Sequence, residues 1–105
     1  MEQQAFKVKL QQNTTHISYD ENIDLDINQA VFLKSELQKT LENTASIQLD
    51  ISKIDLITTP SIQVILAAAI DSKKSGKAFT VLMSQNTKSK FQLLGLDKTI
   101  NEWTE

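Results

Sequence analysis

Residues 46–83 constrain the fold more than any other part of the chain. Ser46–Ile51 alternates apolar and polar residues, which is typical of a half-buried β-strand. Pro60 then opens a helical stretch that carries two lysines in its last turn and ends at Gly76. Ala78–Met83 is almost entirely apolar, which predicts a strand buried on both faces of a sheet. A strand, a helix and a strand in this order form a right-handed crossover, so we expect two parallel strands.

The N-terminal part of the chain predicts an antiparallel hairpin. Residues 6–10 and 15–19 both alternate apolar and polar side chains, and a short polar turn separates them. One face of the first strand is therefore expected to be buried, namely Phe6, Val8 and Leu10.

Helix signals occur before and after the crossover. Asp26 is a good N-cap with Gln29 three residues later, which predicts a helix that continues to about Asn43. Another helix is expected over residues 87–94, and a last helical turn from residue 97 would bring Ile100 and Trp103 to one side. The prediction is a single α/β domain over residues 1–105. It has a mixed β-sheet of about four strands packed against three to four helices.

Composition excludes several classes of function. The 105 residues contain no cysteine, no arginine and one histidine, and the formal net charge is −2. Disulfides, thiolate chemistry and the basic footprint of a nucleic-acid binder are therefore excluded. His16 has no hydroxyl and carboxylate at a spacing that indicates a catalytic triad. We expect a cytoplasmic, non-enzymatic protein that uses no metal or cofactor, does not bind nucleic acid and does not insert directly into a membrane.

Several motifs along the chain resemble the STAS family, named after sulphate transporters and anti-sigma factor antagonists. In that family the pattern LDLS…V.FIDSSGL.VLL.A spans the crossover, and here the matching segments are LDIS at 49–52, Ile54 and LITTPSIQVILAA at 56–68. Ser84 with FQLLGLD at 91–97 resembles the family's S…L.LLGLD ending, and residues 24–37 are similar to its LD…A..L...L segment. The resemblance covers about residues 5–103.

The resemblance implies a small regulatory domain that docks on a protein partner through one helix. In the anti-sigma factor antagonist branch, a partner kinase phosphorylates the first serine after the aspartate, and the modification breaks the complex. Here the aspartate falls on Thr58, the acceptor serine on Thr59, the second hydroxyl on Pro60 and the glycine on Ser61. The acceptor keeps a hydroxyl, whereas the other three positions depart from the pattern.

The candidate site is therefore the start of the helix over residues 60–75. Thr59 is the expected phosphate acceptor, with Thr58 and Ser61 as less favoured alternatives. Thr59 before Pro60 is also a good N-cap, and this capping role stays open beside the acceptor role. The residues expected to bind the partner are Thr58, Thr59, Pro60, Ser61, Ile62, Gln63, Leu66, Ala69 and Ile70.

The resemblance implies three kinds of partner. A kinase or an anti-sigma-like protein is expected first, with the chain acting as a phosphorylation-controlled switch in signal transduction. The chain is also similar to the cytoplasmic STAS subunit of a phospholipid-transport ABC complex, which braces the ATPase subunits and has a threonine at the acceptor position. A chemotaxis-associated STAS protein that binds a histidine kinase is a further alternative. A homodimer also stays open.

Overall fold

A computed structural model describes residues 6–19, 24–43, 46–54 and 56–96. Within these ranges the chain forms six strands and three helices. In chain order the elements are β1 (Phe6–Gln11), β2 (Thr14–Tyr19), β3 (Asp24–Leu25), α1 (Ile27–Asn43), β4 (Ser46–Ile51), β5 (Leu56–Ile57), α2 (Thr59–Lys74), β6 (Ala78–Met83) and α3 (Gln85–Leu93). None of the described helices has the length and apolarity needed to cross a bilayer.

Four strands form a mixed sheet in the order β1-β2-β4-β6. The expected hairpin is present, because β1 and β2 are antiparallel and Val8 lies opposite Ile17. The expected crossover is present too: β4 and β6 are parallel, with Leu49 opposite Val81. Strand β2 also runs parallel to β4, which completes the predicted α/β architecture.

The core lies on one face of this sheet. In β2, β4 and β6 every second side chain is buried, and the residues between them are half-buried or exposed. The prediction that β6 is buried on both faces is therefore wrong. Thr80 and Leu82 are only half-buried, because the helices of the described chain cover the opposite face, where Val81 and Met83 join the core.

The predicted buried face of β1 is exposed over most of its length. Phe6 is buried and its ring meets that of Tyr19 edge-on, with 5.9 Å between the centroids. Val8 and Leu10 share this face but are 43% and 64% exposed. Strand β1 lies at the edge of the sheet, so it has a neighbouring strand on one side only, and of this face only Phe6 belongs to the hydrophobic core.

A separate two-stranded sheet, which the sequence did not predict, aligns the beginnings of α1 and α2. Strands β3 and β5 are parallel, with Leu25 opposite Ile57, and each is followed within two residues by a helix. The predicted N-cap of α1 is confirmed, since the Gln29 amide donates to Asp26 Oδ1 at 3.0 Å.

Helix α3 begins at Gln85, two residues before its predicted start, because Ser84 is its N-cap. The Ser84 hydroxyl oxygen accepts from the Thr87 amide at 3.3 Å. After α3, Gly95 adopts a φ of 76°, and the Leu96 amide donates back to the Phe91 carbonyl at 2.9 Å. This arrangement is a Schellman-type helix end, which favours glycine. The helical turn expected from residue 97 lies outside the described residues.

Candidate functional site

The start of α2 is held in place by one backbone carbonyl, that of Leu25 at the end of β3. It accepts hydrogen bonds from the Thr58 amide at 3.1 Å, the Thr58 hydroxyl at 2.6 Å and the Ser61 hydroxyl at 3.0 Å. Two of the three hydroxyls singled out from the sequence are thus used inside the protein. They tie the beginning of α2 to the beginning of α1.

Thr58, and not Thr59, is the N-cap of α2. Its backbone is extended, with φ −93° and ψ 161°, and its carbonyl accepts the first helical bond from the Ile62 amide at 3.1 Å. The Thr58 side chain makes no capping bond because its hydroxyl donates to Leu25 instead. The proposed capping role of Thr59 is therefore wrong: Thr59 is the first helical residue and Pro60 the second, where a missing amide costs no helical bond.

The Thr59 side chain is exposed. Within the described part of the chain, its hydroxyl has no hydrogen-bond partner. Of the three candidate acceptors, Thr59 is thus the one whose oxygen is both accessible and unused.

Three of the residues expected to bind a partner are buried. Ser61 is fully buried where the STAS pattern has glycine, and its hydroxyl reaches the Leu25 carbonyl and, at 3.5 Å, that of Asp26. Ile62 and Ala69 belong to the hydrophobic core on the sheet side of α2. A partner cannot touch these three side chains while the helix stays in place.

Four of the six remaining candidates form a stripe along α2, whereas Thr58 and Pro60 are half-buried at the start of the helix. Thr59, Gln63, Leu66 and Ile70 follow one another at intervals of four, three and four residues, so they lie on one side of the helix. Thr59 and Gln63 are exposed, Leu66 is half-buried and Ile70 is 53% exposed. We call these four residues the α2 stripe.

Helix α3 contributes a positive charge near the start of α2, which the sequence did not indicate. The Lys90 ammonium donates to the Ile57 carbonyl, two residues before Thr59. The Ser84 and Thr87 hydroxyls both donate to the Ile54 carbonyl at 3.1 Å and hold α3 against the segment that leads into β5. These contacts join residues about 30 positions apart to backbone oxygens, so no local sequence pattern points to them.

A groove lies beside the α2 stripe, between α1 and α2. Its volume is about 330 Å³ and apolar side chains dominate its walls. The lining residues are Ile27, Ala30, Val31, Lys34, Leu37, Gln38 and Leu41 from α1, and Pro60, Gln63, Val64, Ala67, Ala68 and Asp71 from α2. Only Gln63 belongs to both surfaces.

Neither a scan of family models nor a search of curated proteins finds a match. Solved structures do match, and all three described below are anti-sigma factor antagonists. The unphosphorylated form of SpoIIAA has a TM-score of 0.77 and 13% identity, over 96% of this chain and 86% of that one.

The phosphorylated form of SpoIIAA, described as a Bacillus cell fate determinant, has a TM-score of 0.76 and 13% identity, over 96% and 89% of the two chains. An antagonist from Mycobacterium paratuberculosis has a TM-score of 0.73 and 18% identity, over 90% and 80%. The mixed sheet with its helices thus has the fold of the anti-sigma factor antagonists, as the resemblance to the STAS family predicted.

Proposed function

We propose that this chain is a non-enzymatic, cytoplasmic regulator of the STAS type, which binds a kinase or an anti-sigma-like protein through the α2 stripe. Phosphorylation of Thr59 releases the partner. Two lines of evidence support this function: the fold is that of anti-sigma factor antagonists, and one of the similar structures is of an antagonist in its phosphorylated form.

The proposal rests mainly on the different hydrogen bonding of three neighbouring hydroxyls, those of Thr58, Thr59 and Ser61. Thr58 and Ser61 both donate to the Leu25 carbonyl, and Ser61 is fully buried. A kinase must reach the oxygen that it phosphorylates, and Thr59 presents such an oxygen at the surface. The acceptor is therefore Thr59, although Thr58 replaces the aspartate of the family pattern.

The effect of a phosphate follows from its charge and position. Phosphothreonine carries about −1.5 to −2 charges at neutral pH. At the first turn of α2 the helix dipole and the Lys90 ammonium both favour this charge in the free protein. A partner that packs on Leu66 and Ile70 would have to desolvate the same charge at the end of the stripe, which costs free energy. Phosphorylation thus opposes binding without unfolding the domain.

Affinity purification with mass spectrometry tests this function. Tagged wild-type protein and the variants Thr59→Ala, Thr59→Asp and Ser35→Asp would be isolated from the native cells at matched levels. Ser35 is an exposed α1 residue outside the groove, so Ser35→Asp controls for added charge. A kinase or anti-sigma-like protein should be retained by wild type, Thr59→Ala and Ser35→Asp and be reduced at least tenfold with Thr59→Asp. Equal recovery with all four proteins contradicts the switch.

A second candidate function is that of a STAS subunit in a phospholipid-transport ABC complex. A threonine at the acceptor position favours it, together with Pro60, which removes an amide that would otherwise be available to a phosphate. In that case the same purification recovers an ABC ATPase and its permease. The Thr59→Asp variant then retains them as well as the control does.

A further inference from the structure

The groove between α1 and α2 has one wall that remains largely in contact with solvent. Ile27 and Val31 stand on the α1 wall and are 63% and 62% exposed. Across the groove, α2 presents Val64, which is half-buried, and Ala67, which is exposed. Small side chains on α2 leave space for another helix to come close.

The register of β3 and β5 places the two helices at the same level. Leu25 lies opposite Ile57, and each helix begins two residues later, at Ile27 and Thr59. Each helix leaves one of these parallel strands and leads into β4 or β6, which are also parallel, so α1 and α2 run in the same direction. The groove-lining residues recur at intervals of one and three along both helices, so each helix presents one face to the groove. Val31 is consequently level with Gln63, which precedes Val64.

The two walls also carry opposite charges. Lys34 projects from the α1 wall and Asp71 from the α2 wall, and both side chains are exposed. In the described ranges neither of them forms an ion pair. Among the exposed lining residues, apolar side chains precede the charged one on both helices: Ile27 and Val31 come before Lys34, and Ala67 comes before Asp71.

We propose that the groove binds the groove of a second copy of this chain. A two-fold axis parallel to the helices would place α1 of each copy on α2 of the other. Ile27 and Val31 would then pack on Val64 and Ala67 of the second copy, and Lys34 would approach Asp71 of the second copy. The same contacts form twice, as a two-fold interface requires. A two-fold axis perpendicular to the helices cannot match the apolar and the charged residues at once, because it reverses their order.

The size of the surface predicts a weak dimer. The lined part of α1, from Ile27 to Leu41, is about 21 Å long at a rise of 1.5 Å per residue, and two adjacent helices are about 20 Å wide. Such a contact covers about 420 Å² on each copy, or about 840 Å² in total, which is below the lower limit of about 1,200 Å² for stable complexes. We therefore expect a dissociation constant between about 10 μM and 1 mM, in the weak range for protein association.

This inference goes beyond the proposed function, since it requires no kinase and uses a different side of α2.

Sedimentation velocity on purified protein from about 10 μM to 1 mM tests whether the chain dimerises through the groove. Wild type should shift from monomer to dimer over this range, and Val31→Glu and Lys34→Asp should each weaken dimerisation at least tenfold. The double variant Lys34→Asp/Asp71→Lys should recover most of the affinity, because the reversed charges pair again.

Two matched variants control for net charge. Lys39→Asp and Glu42→Lys alter exposed α1 residues outside the groove, so they should leave the dissociation constant within about threefold. Far-UV circular dichroism confirms that each variant is folded. A monomer at 1 mM, a dimer indifferent to Val31→Glu, or a double variant no better than Lys34→Asp overturns the proposal. If the protein is a monomer at 1 mM, the groove would instead be a binding surface for a different protein.

Discussion

The shared acceptor at the start of α2 makes a quantitative prediction about stability. The Leu25 carbonyl accepts from the Thr58 amide and from the Thr58 and Ser61 hydroxyls. Thr58→Val and Ser61→Ala each remove one hydroxyl with little change of shape, and the double variant removes both. Thr59→Ala is the matched control, because its hydroxyl is exposed and forms no bond within the described residues.

The expected loss of unfolding free energy depends on how many hydrogen-bond donors each variant leaves to the Leu25 carbonyl. A carbonyl oxygen has two lone pairs, so either single variant still leaves two donors, and the loss should be about 0.5–1.5 kcal/mol. The double variant leaves only the Thr58 amide on a part-buried oxygen, so it should lose about 1 kcal/mol more than the sum of the singles. Thr59→Ala should stay within about 0.5 kcal/mol of wild type, because Thr59 is not the N-cap.

Urea unfolding followed by far-UV circular dichroism measures these differences. A loss of 1 kcal/mol lowers the melting temperature of a domain of this size by about 4–8 °C. The melting temperatures should therefore rank the variants in the same order as their free energies of unfolding. If Thr59→Ala were as destabilising as Thr58→Val, Thr59 would be the cap and the account of the site would be wrong. A double variant that is additive within about 0.3 kcal/mol would show that the two hydroxyls do not share an acceptor.

Three further predictions concern other parts of the fold. Burial raises the pKa of the Tyr19 phenol in the folded protein, whereas in the unfolded chain this pKa is near 10. Only the unfolded chain therefore ionises just above pH 10, and the free energy of unfolding should fall as the pH rises above about 10. Tyr19→Phe should remove that fall in urea titrations. Ser84→Ala removes the cap of α3 and one donor to the Ile54 carbonyl, so it should lower the free energy of unfolding by about 1–2 kcal/mol. Ala68→Glu puts a charge into a buried position and should cost about 3 kcal/mol or more, whereas Ala67→Glu at the exposed neighbour should change stability by less than about 0.5 kcal/mol.

The elements whose sequence patterns are local could be predicted well. The alternation of Ser46–Ile51 and the bounds of Ala78–Met83 agree with β4 and β6, and the Asp26 cap agrees with α1. The pattern could not tell whether one face of β6 is covered or both, because a strand with five apolar residues out of six looks the same in either case. The exposure of Val8 has a similar origin, since the place of a strand in the sheet depends on long-range pairing that the local alternation does not reveal.

The sequence predicted a candidate site at the start of α2, but it could not distinguish the roles of the hydroxyls there. Thr58, Thr59 and Ser61 are three similar hydroxyls within four positions, and only the long-range contact with Leu25 separates them. That contact depends on the short β3–β5 pair, which involves two residues on each strand and is too brief to leave a pattern. The shift of the N-cap from Thr59 to Thr58 follows from the same contact.

The central claim is that Thr59 alone among these hydroxyls is available to a kinase. Phosphosite mapping by mass spectrometry, on the protein isolated from its native cells with phosphatases inhibited, tests it most directly. The account predicts phosphate on Thr59 and none on Thr58 or Ser61, with the phosphate absent from a Thr59→Ala variant. Phosphate on Ser61, which is fully buried, or an unmodified Thr59 in every growth condition would contradict it.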